Sequence, residues 1–272
     1  MNGTAKDWNL REYLKELRKE RIKKYSLQSL IVSFDGMSGA GKDVQITRAS
    51  GTLKNKYSGI RVIDFRESTL VKSPERISYL QSIIEGKEED LDRTLDLYTQ
   101  DRVKAWETHI IPAAKSEGII LLDRSSYTTF AIQSFLRNMN NRRVDKEELK
   151  SLVERLFPEP IVPPEKAIFT ICEVKTAYER ISERERRRTI SRNEDTDPVH
   201  RYEREIYSRI MGTINVTDEA PTKWWLAGSK EAYRWLAKRI PDSVQVLTGR
   251  NTIRVNPVLF KAIDDAYYSL KK

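Results

Sequence analysis

Residues 29–44 read SLIVSFDGMSGAGKDV, and the order of residue types in this stretch decides the fold. Ser29–Phe34 is a short, β-branched apolar run that ends in Asp35-Gly36. Gly36-Met-Ser-Gly-Ala-Gly41-Lys42 then matches G-x-x-x-x-G-K, and Val44–Tyr57 reads as a helix. Strand, glycine-rich turn and helix in that order is the setting in which this pattern cradles phosphates. Glycines let successive N–H groups turn inward around phosphate oxygens, and the helix N-terminus adds its positive end. Lys42 then reaches the β- and γ-phosphates. On this reading Gly36, Ser38, Gly39, Ala40, Gly41, Lys42, Asp43 and Val44 line a nucleotide site, with Lys42 also catalytic.

Asp43 stands where such loops usually carry a Ser or Thr hydroxyl that ligates Mg²⁺. Either its carboxylate helps hold the metal, directly or through water, or the loop no longer transfers phosphate. Arginines further along the chain can offset its charge, which favours the first reading.

Outward from this stretch, similar apolar runs recur at Ile60–Phe65, Ile119–Leu122 and Ala167–Cys172, with a weaker one at Val244–Leu247. Helical stretches fill the intervals: Ser73–Ile84, Leu91–Lys115, Thr128–Asn138, Lys146–Phe157 and Val174–Arg188. Pro158, Pro160, Pro163 and Pro164 break the chain before the fourth run. Continuous apolar strands alternating with helices predict an α/β, three-layer, P-loop NTPase-type fold, its central parallel sheet of about five strands covered on both faces. Residues 1–28 are a helical extension, because Leu10–Tyr25 carries an apolar stripe among charges. Asp7, Glu12, Glu16 and Glu20 argue against a basic transit peptide there. Residues 29–272 form the main domain, with a helical insertion at about 213–242 that carries Trp224, Trp225 and Trp235.

Composition sets limits on function. One Cys and two His among 272 residues exclude a disulfide framework, a Cys-rich zinc site and a multi-histidine centre. No apolar run approaches the roughly 18–20 residues of a membrane span. The net charge of +9 favours polyanionic ligands, and the whole reads as a cytoplasmic protein without a membrane partner.

Asp123 and Arg124 end the third run, Arg66 ends the second, and Arg102 lies on the long Leu91–Lys115 helix. Ligands of open parallel sheets bind beyond the carboxyl ends of the strands, so these residues share one rim. Asp123 joins Asp43 as a candidate Mg²⁺ ligand there. Arg180–Arg204 packs basic residues around a break near 193–198, and at about 184–200 it reads as a lid over transferring phosphates. Interleaved Glu183, Glu185, Glu194, Asp195 and Asp197 equally suit a salt-bridged exposed helix, and they argue against nucleic acid as the partner.

The ordered motifs resemble the thymidylate kinase family of nucleoside monophosphate kinases over about residues 29–209. FDGMSGAGK (34–42) is similar to the family's phosphate loop, and DFRE (64–67) to its R-E-P segment, with Ser68 in place of proline. LDLYTQDR (95–102) resembles aromatic-x-x-[ND]-R, and DRSSYTTFAIQ (123–133) lines up with D-R-x-x-x-S-[ST]-x-A-Y-Q. PEKAIFTICEVKTAYER (164–180) resembles P-D-x-x-x-x-L-D-V-x-x-x-x-A-x-x-R. The resemblance implies that Tyr98 stacks on a pyrimidine base, that Arg66, Arg102 and Arg124 hold the acceptor monophosphate, and that Thr128 and Gln133 lie near the base edge. It implies lid arginines, with Arg184, Arg187, Arg188 and Arg192 as candidates, acting with Lys42 and Arg124 in catalysis. It also implies ATP with Mg²⁺ as donor, a nucleoside monophosphate such as dTMP as substrate, and a homodimer.

Three positions depart from the family pattern. Ser38 stands in place of a carboxylate that contacts the sugar 3′-hydroxyl, Ile132 in place of an aromatic that helps exclude ribose, and Asp43 in place of the metal-ligating hydroxyl. Two rival readings follow. One is a polyphosphate-dependent nucleotide kinase, whose D-R-S-x-Y strand end DRSSY also fits. The other is a catalytically silent nucleotide-binding regulator of the same fold.

Overall fold

A computed structural model of the chain describes residues 9–85, 90–139, 146–190, 219–249 and 257–270. Strand β1, Ser29–Gly36, is buried along its whole length, as its unbroken apolar run requires. It is the middle strand of a five-stranded sheet with β2 (Arg61–Phe65), β3 (Gly118–Asp123), β4 (Lys166–Cys172) and β5 (Ser243–Thr248), in the order β2-β3-β1-β4-β5. Every pairing is parallel. Phe34 is in register with Asp123 on one side and Ile168 on the other, so the ends of β1 and β3 open onto one crevice.

Alternate residues of β1 face opposite layers. Leu30, Val32 and Phe34 pack with Ile46 and Leu53 of α2 (Lys42–Lys56) and Ile263 and Tyr267 of the C-terminal helix Pro257–Leu270. Ile31 faces the larger layer. That layer contains α1 (Leu10–Tyr25), the short α3 (Glu67–Leu70), α4 (Pro74–Ile84), α5 (Leu91–Ala105), α6 (Ile111–Ala114), α7 (Ser126–Met139), α8 (Lys146–Leu156), α9 (Val174–Ile190) and α10 (Glu219–Ala237); the C-terminal helix is α11.

Two elements differ from the sequence reading. The expected Leu91–Lys115 helix is interrupted by a π-helical turn at Trp106–Ile110. Pro112 supplies a reason, because in a regular helix its ring collides with the carbonyl one turn earlier, and a wider turn relieves that contact. The helix within the expected insertion, α10, is built into the core through Leu226, Tyr233 and Leu236. It lies so close to α7 that a Cβ on Gly228 would fall 2.1 Å from the Phe135 ring.

Helix α1 also packs into the core through Leu10 and Leu14. Asn9 caps it, its side chain accepting from Arg11 N–H at 2.9 Å. Two buried arginines face the proline-rich segment before β4. Arg18 Nε donates to Pro163 O at 3.1 Å. Arg21 donates to Phe157 O at 2.9 Å, to Pro158 O at 3.1 Å and to Ile161 O. Proline punctuation leaves these carbonyls without a secondary-structure ladder, and the guanidinium groups satisfy them. Replacing Arg21 with Ala strands the Phe157 and Ile161 carbonyls, whereas Pro158 O keeps the Ile161 N–H at 2.9 Å. A single unpaired buried acceptor costs about 1–3 kcal/mol, so Arg21→Ala lowers stability by about 3 kcal/mol after partial rehydration. A urea-unfolding midpoint unchanged in that variant contradicts the account.

Candidate active site

The loop leaves β1 through three glycines with positive φ: Gly36 at 144°, Gly39 at 74° and Gly41 at 83°. A Cβ on Gly36 would lie 2.1 Å from Thr170 O, and one on Gly39 would lie 2.5 Å from Ala177 O. Glycine is therefore required at both by space as well as by φ. The loop carbonyls face the protein. Gly39 O accepts from Arg180 Nη1 at 3.1 Å, Ala40 O from the Thr248 hydroxyl at 2.7 Å, and Met37 O from Lys42 Nζ at 3.2 Å. Gly41 then forms the N-cap of α2, whose first-turn N–H groups have no helical partner and suit an anion.

Lys42 is buried, and burial first, then the nearby Arg124, pulls its ammonium down to about 8. Asp123, Asp43 and Asp35 oppose that shift, which places five of the charged groups around one point. Asp43 is exposed on the first turn of α2, and Val44 beside it is also exposed. Ser38 is half-buried in the loop, and Ala40 is fully buried.

On the rim, Asp123 Oδ2 accepts from Arg66 Nε at 3.0 Å, while its buried Oδ1 has no hydrogen-bond partner among the described residues. That orphaned oxygen, at a strand end beside Lys42, fits Mg²⁺ or one of its waters. This ion commonly takes one or two carboxylates together with substrate phosphates. Arg124 stands in left-handed backbone at φ 69°.

Three residues expected to bind the acceptor, Tyr98, Arg102 and Gln133, lie on α5 and α7. Arg102 is buried, with Nε donating to Glu67 Oε2 at 2.7 Å and Nη2 to the Thr129 hydroxyl at 3.1 Å, and its Nη1 has no partner among the described residues. Glu67 also accepts from Trp106 Nε1 at 2.7 Å, and burial raises its carboxyl above the usual range. Tyr98 is half-buried with the Arg76 guanidinium 4.7 Å over its ring. Gln133 is buried, and its Oε1 has no partner among the described residues.

Thr128 departs from its expected role at the base edge. Its hydroxyl donates to Asp35 Oδ1 at 2.7 Å. The side chains of Arg184, Arg187 and Arg188 and the whole of Arg192 lie outside the described residues. Sequence reasoning gave no role to Asp35, Glu67, Arg76, Arg180 or Tyr233. Asp35 carried a signal, an acid ending an otherwise apolar strand; Tyr233 carried none.

These features define a nucleotide-binding phosphotransferase of the phosphate-loop α/β class. A family model described as thymidylate kinase matches residues 34–221, more than half of the chain, and the chain belongs to that family. A thymidylate kinase of Chlorobium phaeobacteroides is 25% identical over 182 residues, 66% of this chain and 78% of that one. One from Leptospira borgpetersenii is 32% identical over 107 residues, which span 39% of this chain and about half, 49%, of that one. The crystal structure of a thymidylate kinase from Ehrlichia chaffeensis shares the fold, with a TM-score of 0.51 at 14% identity over 88% of this chain and 98% of that one.

The Lys42 shift gives a pH test with a definite sign. In the free protein Lys42 is protonated below about pH 8 and neutral above it. A bound polyphosphate favours the cation and raises the pKa again. ATP binding therefore takes up a proton at pH 9 and little at pH 7, and affinity falls as pH rises above 8. Calorimetry in buffers of different ionisation enthalpy measures the uptake, and Lys42→Met abolishes it.

Proposed function

We propose that the chain is a nucleoside monophosphate kinase that transfers the γ-phosphoryl group of ATP to dTMP. The observation that carries this reading is the pairing of a preformed phosphate loop with buried polar groups on α5 and α7. Two of these, Arg102 Nη1 and Gln133 Oε1, have no hydrogen-bond partner among the described residues. Gln133 Oε1 only accepts, so it suits the N3–H of thymine or uracil and not the unprotonated N3 of cytosine. Arg102 Nη1 supplies an N–H to the acceptor molecule. Tyr98, backed by Arg76, offers an aromatic wall for the base.

The acceptor is an anionic phosphate oxygen, so no base has to remove a proton. It forms the new bond to the γ-phosphorus as the bond to the β,γ-bridging oxygen breaks and ADP leaves. Loop amides and Lys42 hold the donor, and Arg66 and Arg124 bring positive charge to the acceptor side, so that positioning and charge neutralisation supply the catalysis. Mg²⁺, when bound, offsets charge on the β- and γ-phosphates, and Asp123 and Asp43 are the residues that would hold it. Arg184, Arg188 and Arg192 are the lid residues assigned to the transferring group.

An ADP-release screen over the common ribo- and deoxyribonucleoside monophosphates, with ATP and Mg²⁺, tests the proposal. dTMP is expected to give the highest kcat/KM, with measurable turnover of the ribonucleotide UMP, because Ser38 and Ile132 lack the family's sugar-selecting groups. Release of no ADP with any monophosphate overturns it, as does transfer from polyphosphate in preference to ATP. Gln133→Leu removes the base-edge acceptor and raises KM for dTMP by about 10–100-fold, since an unpaired buried polar group costs about 1–3 kcal/mol. An unchanged KM in that variant removes Gln133 from the base edge.

A further inference from the structure

Asp35 is wholly buried at the end of β1, and the transfer chemistry above makes no use of it. Both of its oxygens are nonetheless committed. Oδ1 accepts from Ser125 N–H at 2.8 Å and from the Thr128 hydroxyl at 2.7 Å, and Oδ2 accepts from the Ser125 hydroxyl at 2.8 Å. Two of the three donors belong to Ser125, which immediately follows Arg124, and the third to Thr128 in the first turn of α7.

Arg124 is the residue in that turn with left-handed backbone, φ 69°. For a residue with a Cβ this conformation is unfavourable, and it persists only where neighbours over-determine it. Here the grip comes from two consecutive residues of β1. Phe34 O accepts from Arg124 N–H at 3.0 Å, and Asp35 takes the next N–H along, that of Ser125. The following residue of β1 is Gly36, where the phosphate loop begins. Tyr233, buried on α10, stands beside Thr128 and the Gly36 main chain. One buried carboxylate thus joins the strand that carries the donor loop to the turn that carries Asp123 and Arg124.

We propose that Asp35 is a positioning residue, which holds the turn after β3 in left-handed geometry so that Arg124 faces the phosphate loop. The inference rests on the phosphoryl-transfer reading above. A side chain with two acceptor oxygens suits the task, because Ser125 and Thr128 present three donors and, among the described residues, no main-chain oxygen takes them.

The test is a double-mutant cycle with steady-state kinetics on the full chain. A misplacement of about 1 Å can cost about 10²-fold in rate, so Asp35→Ala is expected to lower kcat about 100-fold. KM for ATP is expected to stay within about threefold, since the loop glycines are untouched. Asp35→Asn keeps Oδ1 for Ser125 N–H and Thr128, and it restores kcat to within about tenfold. In an Arg124→Ala background, Asp35→Ala costs less than about threefold more, because the group it positions is gone. A purely structural role would lower the melting temperature and leave the two losses multiplicative; that outcome overturns the proposal. If Asp35→Ala does not fold, Ser125→Ala, which removes one of the three donors, carries the same cycle with a smaller loss. Absence of transfer by the unsubstituted chain fails the kinase reading alone. The inference about Asp35 is then decided by a crystal structure of Asp35→Asn and Asp35→Ala, in which an Arg124 that keeps its φ near 69° and its guanidinium position in both variants overturns it.

Discussion

Between Gly36 and Thr170 there is no room for a side chain, and the architecture of the site depends on that contact. A Cβ at Gly36 would meet the Thr170 carbonyl at 2.1 Å, so the glycine backbone lies directly against β4 where the loop departs. Gly39 repeats the contact one step later against Ala177 of α9. Pressed against a strand and a helix, the loop has its carbonyls engaged by Arg180, Thr248 and Lys42. What remains for a ligand is the amide side of the loop and the start of α2. The anion site is thus the by-product of close backbone packing, and that packing is possible only because the sheet places β4 beside β1.

The two halves of the crevice handle charge differently. Beside the loop Lys42 is desolvated, with a carbonyl oxygen as its hydrogen-bond partner among the described residues, so an arriving anion would give it a strong partner. Across the crevice the arginines are already paired, Arg102 with Glu67 and Arg66 with Asp123. A paired guanidinium contributes less net field than a lone one, but its N–H groups have fixed directions. In the proposed kinase the crevice would thereby combine attraction for a polyphosphate with directional recognition of a smaller molecule. Glu67 holds this arrangement from below, with Trp106 occupying its second oxygen.

Much of this was legible in the sequence, for identifiable reasons. Strands buried on both faces read as continuous apolar runs, and the edge strand β5, with Gln245 and Leu247 turned outward, gave the weakest run. The glycine pattern placed the loop, and the strand-end residues Asp123, Arg124 and Arg66 fell on the rim because parallel strands end there together. The unread parts depend on long-range contacts. The π turn at Trp106–Ile110 lies inside an unbroken helical periodicity and is marked only by Pro112. Thr128 carried a base-edge role by analogy, yet its hydroxyl belongs to Asp35, 93 residues earlier. The helix Glu219–Ala237 read as an addition because its partners on α7 and α9 cannot be seen from its own composition.

Helix α1 has a consequence for how the chain is assembled. Its buried arginines bond to residues 136 to 147 positions further along. Until those residues emerge from the ribosome, the first helix has no carbonyls to dock against and remains a solvated, basic, amphipathic segment. Docking therefore waits until residues 157–165 exist, and it closes over the proline-rich connection just as β4 enters the sheet. Helix α1, made before the strands of the sheet, is thus among the last elements to find its place.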